Sequence, residues 1–222
     1  MPFYVAPEQL MRDRADFARK NIARGRPLVA MVYADGVLIV AENSTTLHKV
    51  SEIYDHIAFG GVGKYSEFDT LRKAGVREAD LRGYAYSRED VTAQSLANVY
   101  AGYLTQVFTH DVKPMEVEIL VAEIGGGPTG GQLYHISYDG IVFDDNRYVV
   151  LGGDADAVTN RMEGVYLAEW PLGEALRAAV QALAGPERTL TPGELEVAVL
   201  DSQAERRAFR RIEGDELTSL LG

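Results

Sequence analysis

The chain has 222 residues, with 33 acidic against 22 basic side chains, a formal net charge of −11 and no cysteine. At 46% hydrophobic and 25% charged it has an ordinary globular composition, which excludes disordered and fibrous classes. So acidic a surface repels phosphate backbones and anionic lipid, which argues against nucleic-acid and membrane partners. The missing cysteines remove disulfide frameworks, thiol nucleophiles and thiolate metal sites, and suit a reducing cytoplasm.

Residues 1–6 are short and mostly apolar, and no periodic pattern includes them. They lack an apolar core of signal-peptide length, and no window approaches the roughly 18 to 20 apolar residues of a membrane span. Pro7 stands where a first helical residue is favoured, with Glu8 in the first turn. Met11, Ala15, Ala18 and Ile22 then recur at helical spacing, and Gly25 marks the stop. The pattern predicts an amphipathic helix over 7–24 with a narrow stripe of mostly small residues. Next come β-rich runs at 28–33 and 37–41, split by Asp35-Gly36, then 49–53 and 57–62. These read as an antiparallel meander of four strands. Helices are expected at 64–74, stopped by Gly75, and at about 90–109. Strands follow at 116–123, 132–138, 141–143 and 147–151, with a glycine-rich surface loop at 125–131. Helices at 154–167 and 172–184, strands at 195–200 and 207–212, and a last helical turn at 215–220 complete the chain. Such segregated runs predict α+β layering in one domain, two sheets held between two pairs of helices.

Few motifs carry chemistry. Phe59-Gly60-Gly61-Val62-Gly63-Lys64-Tyr65-Ser66 comes close to a phosphate-binding loop. Ala58 stands where the first glycine should be, and Tyr65 where the Mg²⁺-binding hydroxyl should be. Glycines for close packing between a strand and a helix are the better reading. His48, His56, His110 and His135 are scattered and never stand at i, i+4, so no paired-histidine metal site is expected. Asp144-Asp145 and Asp154 with Asp156 lack the spacing of a calcium loop. There is no Gly-x-Ser-x-Gly nucleophile turn. Lys49, on a predicted strand shortly before Gly61-Val62-Gly63, could receive a carboxylate through a charge-assisted hydrogen bond. An ordinary solvated lysine is the plainer alternative.

Taken together, long phrases resemble the α subunits of 20S proteasomes, of the bacterial kind found in actinobacteria. They include PEQLMRDRADFARKNIARGR at 7–26, YADGVLIVAEN at 33–43, LHKVSEIYDHIAFGGVGKYSEFDTLRKAGV at 47–76 and RGYAYSREDVTAQSLANVYAGYLTQVFT at 82–109. KPMEVEILVAEI at 113–124, YHISYDG at 134–140, LEVAVLD at 195–201 and RRAFRRIEGDEL at 206–217 continue the match to the end. The resemblance implies the four-layer αββα sandwich of amino-terminal-nucleophile hydrolases, with an extra N-terminal helix, over the single domain 1–222. Catalytic β subunits of that family expose an N-terminal threonine whose own amine is the base. Here Arg26 stands where that nucleophile would follow the glycine, so the resemblance implies a non-catalytic chain without cofactor or metal.

The same resemblance implies partners and sites. Seven copies would form a ring stacked on β subunits, and a hexameric AAA+ ATPase activator would deliver proteins tagged with a small ubiquitin-like modifier. Pro2, Phe3, Tyr4, Val5, Ala6 and Pro7 match the segment that closes the ring's axial pore. Lys49, Gly25, Gly63 and Lys64 match the pocket between neighbouring subunits that receives the activator's C-terminal tail, Lys49 pairing with its terminal carboxylate. Two alternatives remain: a self-sufficient hydrolase of the same fold, matured at a serine, threonine or cysteine, and a small-molecule binding module using the 125–131 loop.

Overall fold

A computed structural model describes residues 6–125 and 130–222. Pro2, Phe3, Tyr4 and Val5 of the expected pore segment, and 126–129 of the glycine-rich loop, lie outside the described residues.

The first helix, α1, spans Pro7–Ile22, with Ala6 at its N-cap and Pro7 at the first position. Strands β1 (Leu28–Tyr33) and β2 (Gly36–Glu42) form a hairpin in full register, Leu28 opposite Ala41 and Tyr33 opposite Gly36. β3 (Val50–Tyr54) and β4 (Ile57–Gly63) form another. The expected four-stranded meander is not formed, because the chain changes sheet between β2 and β3. One sheet has the order β10-β9-β2-β1-β8 and the other β3-β4-β5-β6-β7. The remaining strands are β5 (Val117–Ile124), β6 (Gly131–Ile136), β7 (Val142–Asp145), β8 (Tyr148–Leu151), β9 (Leu195–Asp201) and β10 (Phe209–Ile212).

The apolar pattern explains the split. Every residue of β1 is buried, but alternate residues serve different cores. Leu28, Ala30 and Val32 face the opposite sheet, packed with Val50, Ala58, Leu120 and Leu133. Val29, Met31 and Tyr33 face away, onto α4 (Ala155–Glu163) and α5 (Leu172–Ala184). A strand covered on both faces reads as a continuous apolar run, and the run cannot say which sheet it joins. The second sheet is covered in turn by α2 (Tyr65–Ala85) and α3 (Ala93–His110), through Phe68, Leu71, Leu96, Tyr100 and Leu104 against Phe59, Ile119 and Val121. The result is the expected four-layer αββα sandwich, closed by α6 (Gly214–Leu221).

α1 ends at Ile22 instead of 24 and α3 starts at Ala93 instead of about 90, and two helix limits differ more from expectation. α2 does not stop at Gly75 but continues to Ala85. A Cβ at Gly75 would lie 1.7 Å from the Tyr100 hydroxyl, so this glycine admits α3 instead of ending α2. Tertiary contact overrides its weak helix propensity, about 1 kcal/mol against alanine. α4 ends at Glu163, where Gly164 caps it, instead of running to 167.

α1 joins the inter-sheet core only through its last turns. Ala18 and Ile22 are buried with Leu28, Val62 and Leu151. Further along, the Arg14 guanidinium donates to the carbonyls of Val107 (3.1 Å) and Asp111 (2.7 Å) at the end of α3. It also lies 5.6 Å from the centre of the Phe108 ring. A cation on the C-terminal carbonyls of a helix is favoured by the helix dipole.

Candidate functional site at the start of the first strand

The site forms where β1 begins, β2 ends and β3 begins. β2 closes on Glu42, and the loop 43–49 carries the chain across to the second sheet. Asn43 shapes that loop: its side-chain oxygen accepts from the Thr45 N–H (2.9 Å), and its amide donates to the Leu47 carbonyl (2.8 Å). The loop delivers Lys49 with its ammonium on two backbone carbonyls, Arg26 at 2.8 Å and Glu42 at 3.0 Å. Two of its three N–H donors are thus used, and among the described residues the third has no partner. Burial pushes the Lys49 ammonium down to about 8, against the opposing pull of the Glu196 and Glu42 carboxylates.

The other residues expected at this site lie together with Lys49. A Cβ on Gly25 would come within 3.6 Å of the Gly63 nitrogen and 3.1 Å of the Ile22 carbonyl. Gly63 has φ +97°, and a Cβ there would meet the Glu116 carbonyl oxygen at 2.0 Å. Only glycine fits. Lys64 follows directly, donates its N–H to the Glu116 carbonyl (2.9 Å), and its ammonium lies 3.3 Å from the Glu67 carboxylate. The structure therefore brings Lys49, Gly25, Gly63 and Lys64 to one end of the sandwich. Of the expected pore segment, Ala6 and Pro7 form the exposed start of α1.

Two buried carboxylates that the sequence reading missed organise this end. Glu42 is 3% exposed and is gripped by Arg26 (2.9 Å) and by both terminal nitrogens of Arg188 (3.1 Å each). Glu196, 8% exposed, accepts from the backbone N–H groups of Lys49 (2.8 Å) and Val50 (3.1 Å), from Asn43 (2.8 Å) and from Arg211 (2.8 Å). Burial, the largest single influence, would raise its carboxyl, but these donors together hold it below the usual range. Both belong to apolar runs, Glu42 at the end of GVLIVAE and Glu196 inside LEVAVLD. A charge in such a run was the available signal.

The glycines of the near phosphate-binding phrase do pack closely. A Cβ on Gly61 would clash with the Phe68 ring at 2.7 Å, and one on Gly60 would touch Leu28 at 3.0 Å. Among the described residues, no group of three histidines or carboxylates could hold a metal ion, and no helix is long and apolar enough to cross a membrane.

Two facing antiparallel sheets between two helical layers, with a lysine held over the start of the first strand, place the chain in the αββα sandwich class. A family model described as "Proteasome subunit" matches residues 22–200. Proteins named "Proteasome subunit alpha" are similar over the whole length. That of Acidimicrobium ferrooxidans is 60% identical over 100% of this chain and 96% of its own. Those of Acidothermus cellulolyticus (55%; 99% and 97%) and Saccharopolyspora erythraea (56%; 100% and 88%) follow the same pattern. The chain belongs to the proteasome family, with the α subunits of the actinobacterial kind.

Proposed function

We propose that the chain is the non-catalytic structural and gating subunit of a 20S proteasome core particle. Seven copies form an outer ring on the β subunits in the cytoplasm, as one unit over 1–222. The pore segment 1–6 controls access to the proteolytic chamber, and an AAA+ ATPase activator opens it by docking its C-terminal tails. The observation that carries this reading is Lys49, an ammonium preset on two carbonyls beside the Gly25–Gly63 contact, with one donor still free. A peptide's terminal carboxylate is a fitting occupant, because a charge-assisted bond to a half-desolvated ammonium is stronger than one in water. Arg26 at the head of β1 supports the non-catalytic part, since guanidinium is neither nucleophile nor base here.

Tail docking opens the pore only through stronger binding to the open arrangement than to the closed one. Several weak tails acting on one ring gain strength from multivalency. Exposed apolar side chains on α2, α3 and the following turn, among them Leu81, Tyr84, Tyr103 and Val112, are of the kind that subunit assembly covers. The test is Lys49→Ala in the complex with β subunits. Ring assembly by native mass spectrometry should be unchanged, while stimulation of long-peptide hydrolysis by the activator's tail peptide is abolished. Unchanged stimulation would overturn the pocket assignment.

A further inference from the structure

The stretch from the end of α3 to the start of β5 is held from two sides. On one side stands α1. Arg14 holds the carbonyls of Val107 and Asp111, and the Lys113 ammonium lies 5.8 Å from the centre of the Phe17 ring. On the other side stands the proposed tail pocket. Lys64 donates its N–H to the Glu116 carbonyl, and Gly63 pairs with Val117. Glu67, in the first turn of α2, ties the two sides together. One carboxylate oxygen faces both Lys113 (3.0 Å) and Lys64 (3.3 Å), and the other accepts the Glu116 N–H at 2.7 Å. Lys113 also pairs with Glu116.

Glu67 is 17% exposed, whereas Lys64 is 52% exposed and Lys113 41%. The carboxylate is therefore the fixed member, and the two lysines share it. Burial, the largest influence, would raise its carboxyl, but the Glu116 N–H and the lysines hold it below the usual range, so it stays ionised near neutral pH. A ligand carboxylate that draws Lys64 away leaves Glu67, among the described residues, with Lys113 as its remaining cation. Lys113 is then drawn further onto Glu67 and off the Phe17 ring, which changes the seat of α1 about three turns from its exposed start at Ala6.

We propose that Glu67 is a positioning residue that transmits occupancy of the tail pocket to α1, by sharing its carboxylate between Lys64 and Lys113. The proposal rests on the tail-pocket reading above. It makes docking and opening separable, because the tail's proposed place is on Lys49, whereas Glu67 meets the pocket through Lys64. Coupling between two sites is a difference in affinity that each confers on the other, commonly about 5- to 150-fold.

The experiment uses the assembled complex with β subunits, wild type and Glu67→Gln, and the activator's C-terminal tail as a synthetic peptide. Its amidated form is the control for the carboxylate. Fluorescence anisotropy measures binding, and hydrolysis of a long fluorogenic peptide measures opening, with a complex lacking residues 2–6 as the open ceiling. The expected result is binding within about 3-fold of wild type and stimulation reduced by at least about 5-fold. Full stimulation with intact binding would overturn the proposal. So would parallel loss of binding, which would make Glu67 a pocket residue only. If Glu67→Gln fails to assemble, Lys113→Gln removes the exposed partner on the α1 side and must give the same split. Full stimulation in that variant overturns the coupling. Failure of the pocket reading itself is recognised separately, by wild-type tail binding in Lys49→Ala.

Discussion

The two ends of the sandwich use the same ion-pair chemistry in opposite surroundings. At the end where β1 starts, Glu42 and Glu196 are 3% and 8% exposed, and each collects several donors from both sheets or from Arg188 beyond α5. At the other end, Arg88 makes a two-pronged contact with Asp55 in the β3–β4 turn (2.9 and 2.6 Å), and those side chains are 62% and 32% exposed. Geometry is equally good in both places, so burial decides the consequence. Breaking a buried, multiply bonded carboxylate strands its partners without water. An exposed pair exchanges its partner for solvent at little cost. The comparison teaches that the site end is held by buried charge, whereas the far end is held by apolar layers, the exposed Arg207 guanidinium on Glu52 and a backbone bond between sheets, Ala208 N–H to the Asp55 carbonyl (2.8 Å).

The sharpest way to break this contrast is Glu196→Ala. It strips the Lys49 and Val50 N–H groups of their acceptor and leaves the Arg211 guanidinium with the Val50 carbonyl alone, and should destabilise the chain by roughly 3 to 5 kcal/mol in denaturant titration. A loss below about 1 kcal/mol would mean that the buried end is no different from a surface. Glu196 has its carboxyl held below the ordinary glutamate range in the fold. Its contribution is therefore present above that range and lost as pH falls through the folded value. Acid unfolding of the wild type should accordingly be steeper than that of Glu196→Gln.

A smaller effect sharpens the contrast at Lys49. Its ammonium is lowered to about 8, so the charged form fades as pH rises through that value. Affinity for a free-acid tail peptide should weaken about 10-fold between pH 7 and 9, while the amidated peptide shows no such dependence. A flat profile for the free acid would remove the ammonium from the contact. The smallest effect belongs to the far end: Arg88→Ala should leave the unfolding midpoint unchanged within measurement. A clear drop there would erase the distinction between the ends.

Legibility in the sequence followed the range of the interaction. Pro7, the spacing of Ala18 and Ile22, Asp35-Gly36 and Gly185 each act over a few residues, and the elements they mark were placed within a residue or two. Lys49 was singled out on its strand before Gly61-Val62-Gly63, while Gly25 and Lys64 came through resemblance, and their meeting with Gly63 at one end is a structural fact that spacing alone does not contain. Glu67 escaped notice because Glu67 and Lys113 are 46 positions apart, in segments that read separately as a helix start and a turn.

The sequence by itself determined the order of helices and strands, the layered class and the family, because turn chemistry and apolar periodicity are local and long matching phrases are specific. The tertiary structure alone decided that β3 leaves β2 for the other sheet, that Gly75 admits Tyr100 instead of ending α2, and that Glu196 reaches Lys49 across 147 positions. The reason is physical. An apolar run says that a face is buried but not against what, and a buried carboxylate is tolerated only where distant donors converge on it.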